Sequence, residues 1–170
     1  MGVVIRRLKS GDETRAGEVA TTFKAAQFPL PRASRFLANP ANYLIVAEMA
    51  GELAGFVLAY RLQRLDREAA QLFVYEIGVT SQHRHGGIGT SLMVYVRELV
   101  AEESLLEAFV LADQRNHAAV RLYHSTGGHV EGAGSVLFVY PGHAARTTRR
   151  RLRLSRHARV ARLRRRSGDY

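Results

Sequence analysis

The chain has 170 residues, 46% of them hydrophobic, enough for one domain with its own core. It contains no cysteine, which excludes disulfides, thiolate metal sites and a cysteine nucleophile. The net charge of +10 is local: residues 1–141 carry 14 Lys/Arg against 14 Asp/Glu, while residues 142–170 carry 11 Arg and one Asp.

No apolar run approaches the roughly 18 residues of a membrane span, and no signal-peptide pattern precedes Val3, so the cytoplasm is the expected compartment. In chain order, residues 3–8 alternate well enough to be a first strand. Ser10, Gly11, Asp12 and Glu13 suit a helix start, and residues 16–26 read as the first helix. Pro29 and Pro31 are expected to break it, with a short second helix over 32–38 ended before Asn39 and Pro40. Residues 43–49 and 53–60 are two strands of a hairpin around Ala50, Gly51 and Glu52. The charged stretch 63–70 is a solvated loop. The run QLFVYEIGV at 71–79, rich in β-branched and aromatic residues, is a central strand. Beyond it Ile88, Leu92, Tyr95, Val96 and Leu99 recur at helical spacing to about residue 104. Residues 107–112 form a fifth strand, 118–126 a helix stopped by Gly127 and Gly128, and 136–140 a final strand. No internal repeat and no linker precedes residue 141. The pattern is α+β: a hairpin meander followed by crossover helices.

The stretch between the central strand and its helix concentrates the chemistry. His83, Arg84, His85, Gly86, Gly87, Ile88, Gly89 and Thr90 place glycines where a strand turns into a helix. Such a turn leaves backbone N–H groups aimed together at the positive end of a helix dipole, which suits a phosphate. Arg84 adds a fixed positive charge. The spacing Arg84-x-x-Gly87-x-Gly89 fits neither the P-loop nor the dinucleotide fingerprint.

It resembles the acetyl-coenzyme A pyrophosphate loop of the GNAT N-acetyltransferases. A second motif, Asn116, Ala119, Leu122-Tyr123 and Gly127-Gly128, resembles the family's segment after the fifth strand. The resemblance covers residues 3–140 and implies the GNAT fold, a mixed sheet of six to seven strands with about four helices. It also implies acetyl transfer from acetyl-CoA to an amine. Residues 73–79, the loop, Asp113 and the Leu122-Tyr123 pair are similar to the GNAT-type aminoglycoside 3-N-acetyltransferases, which implies a role in antibiotic resistance. Those enzymes usually carry Asp at the Glu76 position and keep an Asp at the Asp113 position. Acidic residues that follow in them are Asn116 and His117 here.

The resemblance assigns roles residue by residue. Glu76 is the candidate base and an anchor for a cationic amine; mid-strand in an apolar run, partial desolvation suits a proton acceptor. A Glu on the exposed sheet face is the alternative. Tyr123 is the candidate donor to the departing thiolate, or else a core aromatic. Backbone groups of Ile77 and Val79 would meet the pantetheine arm, with Gly78 between them for close approach. Backbone N–H groups from His85 to Thr90 would take the pyrophosphate, and Asn116 the pantetheine. Asp113 is the substrate-gripping acid, or a cap of the next helix. Glu48, Asp66, Glu68 and Glu131 are further candidates for an acidic cleft. His83 and His85 would share one face of an extended segment, but a metal beside Arg84 is disfavoured and none is expected.

Residues 1–141 are the expected domain. The arginine-rich tail, 142–170, is either a basic helix for nucleic acid or an anionic surface, or an appended disordered segment. Other amine acceptors (a polyamine, an amino acid, a protein N-terminus or lysine) are the second reading, and a nucleic-acid module acting through the tail is the third. Homodimerisation is a family-level expectation.

Overall fold

A computed structural model describes residues 2–131; the expected final strand at 136–140 and the arginine-rich tail lie outside the described residues. The elements are β1 (Val3–Arg7), α1 (Glu13–Lys24), α2 (Leu30–Ala38), β2 (Asn42–Met49), β3 (Glu52–Leu62), β4 (Gln71–Val79), α3 (Ile88–Glu102), β5 (Glu107–Val110) and α4 (His117–Ser125). The five strands lie in chain order, β1 to β4 antiparallel and β5 parallel to β4. This is the expected α+β class, with five strands and four α-helices among the described residues.

Alternation along β2 divides the core. Tyr43, Ile45 and Ala47 join the cluster under α3, whereas Leu44 and Val46 join the cluster under α1 and α2. Both faces are therefore covered, and β2 reads as an unbroken apolar run. From α3, Ile88, Leu92, Met93, Val96 and Leu99 enter the first cluster. Each such burial contributes about 1.5–3 kcal/mol. At the far end of α3, Glu103 accepts hydrogen bonds from Tyr43 Oη and from the guanidiniums of Arg7 and Arg61, tying the helix to three strands.

Several boundaries differ from expectation. Pro31 does not break a helix but opens one, because α2 begins at Leu30 with the proline in its first turn, where a missing N–H costs nothing. Helix α1 ends at Lys24 with Ala25 in the left-handed region. The hairpin turns on Ala50 and Gly51, both at positive φ (53° and 82°), and Met49 pairs with Glu52. Strand β5 stops at Val110 rather than 112, since β4 and β5 part there and Leu111 stands in solvent.

Candidate active site

Two irregularities of β4 set the site. The first is a bulge: Leu58 pairs with Glu76 and Ala59 with Val74, leaving Tyr75 as an extra residue. Before it Leu72 and Val74 face the α3 core; after it Ile77 and Val79 do. The extra residue reverses the alternation, so Glu76 turns to the α1 side of the sheet instead of the α3 side. The second is the parting from β5, whose pairing ends at Val74–Val110 while β4 continues to Val79. Among the described residues, Tyr75 to Val79 have no strand on that flank.

The expected loop follows, with one addition. Strand β4 does not run straight into the glycines; Ser81–His83 form a 3₁₀ turn, tied back by Thr80 N and Thr80 Oγ1 donating to the Ala54 carbonyl. His83 Nδ1 lies 2.8 Å from Thr80 Oγ1 and His85 has φ 63°, so the segment is a turn rather than the extended stretch expected. Among the described residues no cluster of three or more His, Cys, Asp or Glu side chains could hold a metal ion.

Gly87, at φ 81°, begins α3 without a side-chain cap. Ser91 is the first amide to donate into the helix, to Gly87 O at 2.9 Å. No described group accepts from the amides between Arg84 and Thr90. The first turn of α3 holds no carboxylate, and Arg84 is exposed without an ion pair among the described residues. The result is an uncapped positive helix end with an adjacent cation, open to an anion of pyrophosphate type.

Glu76 sits at the bulge with its side chain 28% exposed, and Lys24 at the end of α1 makes an ion pair with its buried Oε2. The surroundings are thus less dry than an apolar run suggests. Beside it runs an aromatic stripe: Tyr60 and Tyr75 meet edge-on at 5.7 Å, Tyr75 and Phe73 at 5.9 Å, and Phe73 stacks on Phe109 at 5.1 Å. Burial first, then Tyr75 and Glu76, push the Tyr60 phenol above its ordinary value. Gly78 also meets a packing demand, because a Cβ there would lie 2.6 Å from Phe56 and 3.0 Å from Phe23.

Tyr123, on α4, packs against the α3 core, and burial raises its phenol above 10. It is therefore a neutral O–H donor at physiological pH. Its neighbour Leu122 lies 3.3 Å from where a Cβ on Gly89 would stand, which holds α4 against the head of α3. The helix closes with Gly127 at φ 93°, Gly127 N donating to His124 O and Gly128 N to Tyr123 O, the six-to-one closure of a Schellman motif.

Asn116, not Asp113, caps α4: its Oδ1 accepts from Ala119 N at 3.2 Å. Asp113 instead accepts from Arg115 N at 2.9 Å, shaping the turn between β5 and α4. Glu48 is held by Arg6 and Arg15, and Asp66 by Arg64. The Arg64 hydrogen bonds hold Asp66 down at about 2. Glu68 and Glu131 are exposed. Glu76 and Tyr123 belong to opposite sides of the sheet: Glu76 pairs with Lys24 of α1, and Tyr123 packs with the cluster under α3. Sequence reasoning missed Lys24, the Tyr75 bulge and the aromatic stripe. An open cleft of ≈ 380 Å³ between α1 and α2, lined by Thr21, Gln27 and Phe28 among others, was also unforeseen.

A family model described as Acetyltransferase (GNAT) family matches residues 13–127. The chain belongs to the GNAT acetyltransferase family. Among solved structures, an aminoglycoside acetyltransferase from an uncultured soil metagenomic sample, in complex with sisomicin, superposes with a TM-score of 0.76 at 23% identity. The match covers 82% of this chain and 95% of that one. Ribosomal-protein-alanine N-acetyltransferase of Brucella melitensis biovar Abortus 2308 superposes at 0.66 with 20% identity, covering 82% and 100%. These likenesses establish a shared GNAT fold. N-acetyltransferase family 8 member 2 of Rattus norvegicus is 25% identical over 104 residues, 61% of this chain. That is 46% of the rat protein, so this GNAT chain spans about half the length of the curated relative it matches. No helix among the described residues is long and apolar enough to cross a membrane.

Proposed function

We propose that the protein moves the acetyl group of acetyl-CoA to an amine of an aminoglycoside, with the 3-N position taken from the resemblance of residues 73–123. One observation carries the reading: a row of amides without acceptors at the head of α3 stands beside a β4 flank without a strand. A diphosphate fits the first and an amide-bearing extended arm fits the second. The amides of His85 to Thr90, with Arg84, would hold the pyrophosphate. Backbone groups of Ile77 and Val79 would hold the arm, with Asn116 beside it. The bound thioester supplies the activated acetyl group.

The chain's own groups then handle protons. Glu76 takes the proton that an ammonium must lose before it can attack, directly or through water. Tyr123, kept neutral by burial, donates to the departing sulfur. The carboxylates of Glu76 and Asp113 draw a polycationic substrate, and the aromatic stripe offers flat faces to sugar rings.

A second amine class is favoured by one specific contact. Glu76 already accommodates a lysine ammonium, so a protein lysine or N-terminus is the alternative acceptor. Thiol release from acetyl-CoA, measured against a panel of aminoglycosides, polyamines and peptides, separates the two. Turnover of Glu76→Gln is expected to fall by ~10²–10⁴ with its best amine. A loss within a few-fold removes Glu76 from the proton path.

A further inference from the structure

Lysine is scarce in this chain: Lys9 and Lys24 stand among 23 arginines. Arginines hold Glu48, Glu103 and Asp66. Glu76 is held by a lysine. A guanidinium keeps its charge throughout the working pH range, whereas a lysine ammonium can yield its proton and become a nucleophile. The identity of the cation on Glu76 is therefore chemically consequential.

The placement of Lys24 is fixed by packing. Its chain neighbour Phe23 lies against Phe56 with ring centroids 4.5 Å apart, over the backbone of Gly78. The helix end is closed by Ala26 N donating to Ala20 O at 3.2 Å. Lys24 thus projects over the part of β4 that β5 leaves unpaired, and its side chain retains 44% exposure. An amine on the Glu76 carboxylate, beside the strand flank assigned to the thioester arm, occupies the position required of an acceptor.

We propose that Lys24 is itself an acceptor, so that the protein acetylates its own first helix end. The inference rests on the acetyl-CoA reading given above. In the step, Glu76 accepts a proton from the Lys24 ammonium and neutral Nζ attacks the thioester carbonyl carbon. A C–N bond forms, the C–S bond breaks, and the sulfur leaves as a thiolate that takes up a proton. The net change is ammonium plus acetyl-CoA to acetamide, free thiol and one proton. The product side chain is uncharged and no longer pairs with Glu76, leaving the carboxylate for an incoming cationic amine. The modification thereby switches the acceptor subsite from occupied by the protein to open for a substrate.

The test incubates the whole protein with acetyl-CoA alone and follows peptide masses over time, with Lys9 as internal control. Lys24 is expected to gain one acetyl group at roughly 10² times the rate of Lys9, the factor of a positioned base, independently of protein concentration. Heat-denatured protein should lose the preference, Glu76→Gln should slow Lys24 by a similar factor, and Lys24→Arg should leave the peptide unmodified. Lys24 acetylated no faster than Lys9, or equally fast in denatured chain, overturns the inference. If an amine panel shows thiol release while Lys24 stays unmodified, only this inference falls. If calorimetry shows no acetyl-CoA binding by folded protein, the functional reading falls with it.

Discussion

Replacing Gly55 by alanine tests the packing that positions the head of α3. A Cβ at this position in β3 would lie 2.9 Å from Gly78 O, 3.0 Å from Ile88 Cγ2 and 3.2 Å from Leu92 Cδ1. Carbon contacts settle at about 3.5–4.0 Å, so the methyl is short of space on three sides, one of them strand backbone. Overpacking of this kind costs about 1–3 kcal/mol, against which the chain-entropy gain of Gly→Ala returns about 0.4–1 kcal/mol. At about 2–4 °C per kcal/mol for a chain of this size, a net loss of about 1–2 kcal/mol should lower Tm by roughly 2–8 °C. Because Ile88 is the first residue of α3, the same displacement moves the amides behind it. One charge-assisted hydrogen bond is worth about 1.5–3 kcal/mol, so acetyl-CoA should bind about tenfold more weakly or worse. Scanning fluorimetry and titration calorimetry read the two effects separately. Gly17→Ala in α1 is the contrast, since its Cβ would meet only Phe28 O at 3.8 Å. Relief of glycine inside a helix should stabilise it by up to about 1 kcal/mol. An unchanged or higher Tm for Gly55→Ala refutes the packing account; a lower Tm with undiminished acetyl-CoA affinity separates the loop from the coenzyme.

The remaining predictions concern α3 and the buried phenols. Ser104 adopts φ 51° in the closure after α3, with Leu105 N donating to Val100 O; Ser104→Gly should raise the denaturation midpoint by about 0.5–1 kcal/mol of stability. Glu103→Ala strands the Tyr43 hydroxyl, on a residue only 1% exposed. It should cost about 1–3 kcal/mol, and far less in a Tyr43→Phe background, as a double-mutant cycle would register. Burial, chiefly, holds Tyr43, Tyr60 and Tyr123 above the phenol value of 10. Their unfolded forms ionise first, so this stability is complete below pH 10 and is lost as pH rises through the folded values. Thermal melts against pH should show Tm falling above pH 10, with a shallower fall in Tyr123→Phe.

Much of the fold was legible because its signals are local. Periodicity located every described strand and α-helix to within a few residues, and Gly87, Gly89 and Arg84 marked the loop before α3. What escaped depends on chain segments distant in sequence. A bulge at Tyr75 cannot be read from QLFVYEIGV, since apolar residues fall on both faces and an inserted residue disturbs no visible alternation. Without it, Glu76 points to the wrong side and Lys24, at the end of another helix, has no reason to be noticed. Pro31 misled because a proline signals a first turn as readily as a break. The packing demand at Gly78 comes from Phe56 and Phe23, both remote in sequence, and no local signal announces it.

The place where β4 outruns β5 has a bearing on solubility as well. Bare strand borders invite foreign strands to join them, yet this one lies in the crook of two neighbours rather than along an outer rim. A crook admits one slender chain and excludes the broad face of a second molecule's sheet. Among the described residues, this flank of β4 thus holds backbone groups in reserve inside the sheet rather than along its border.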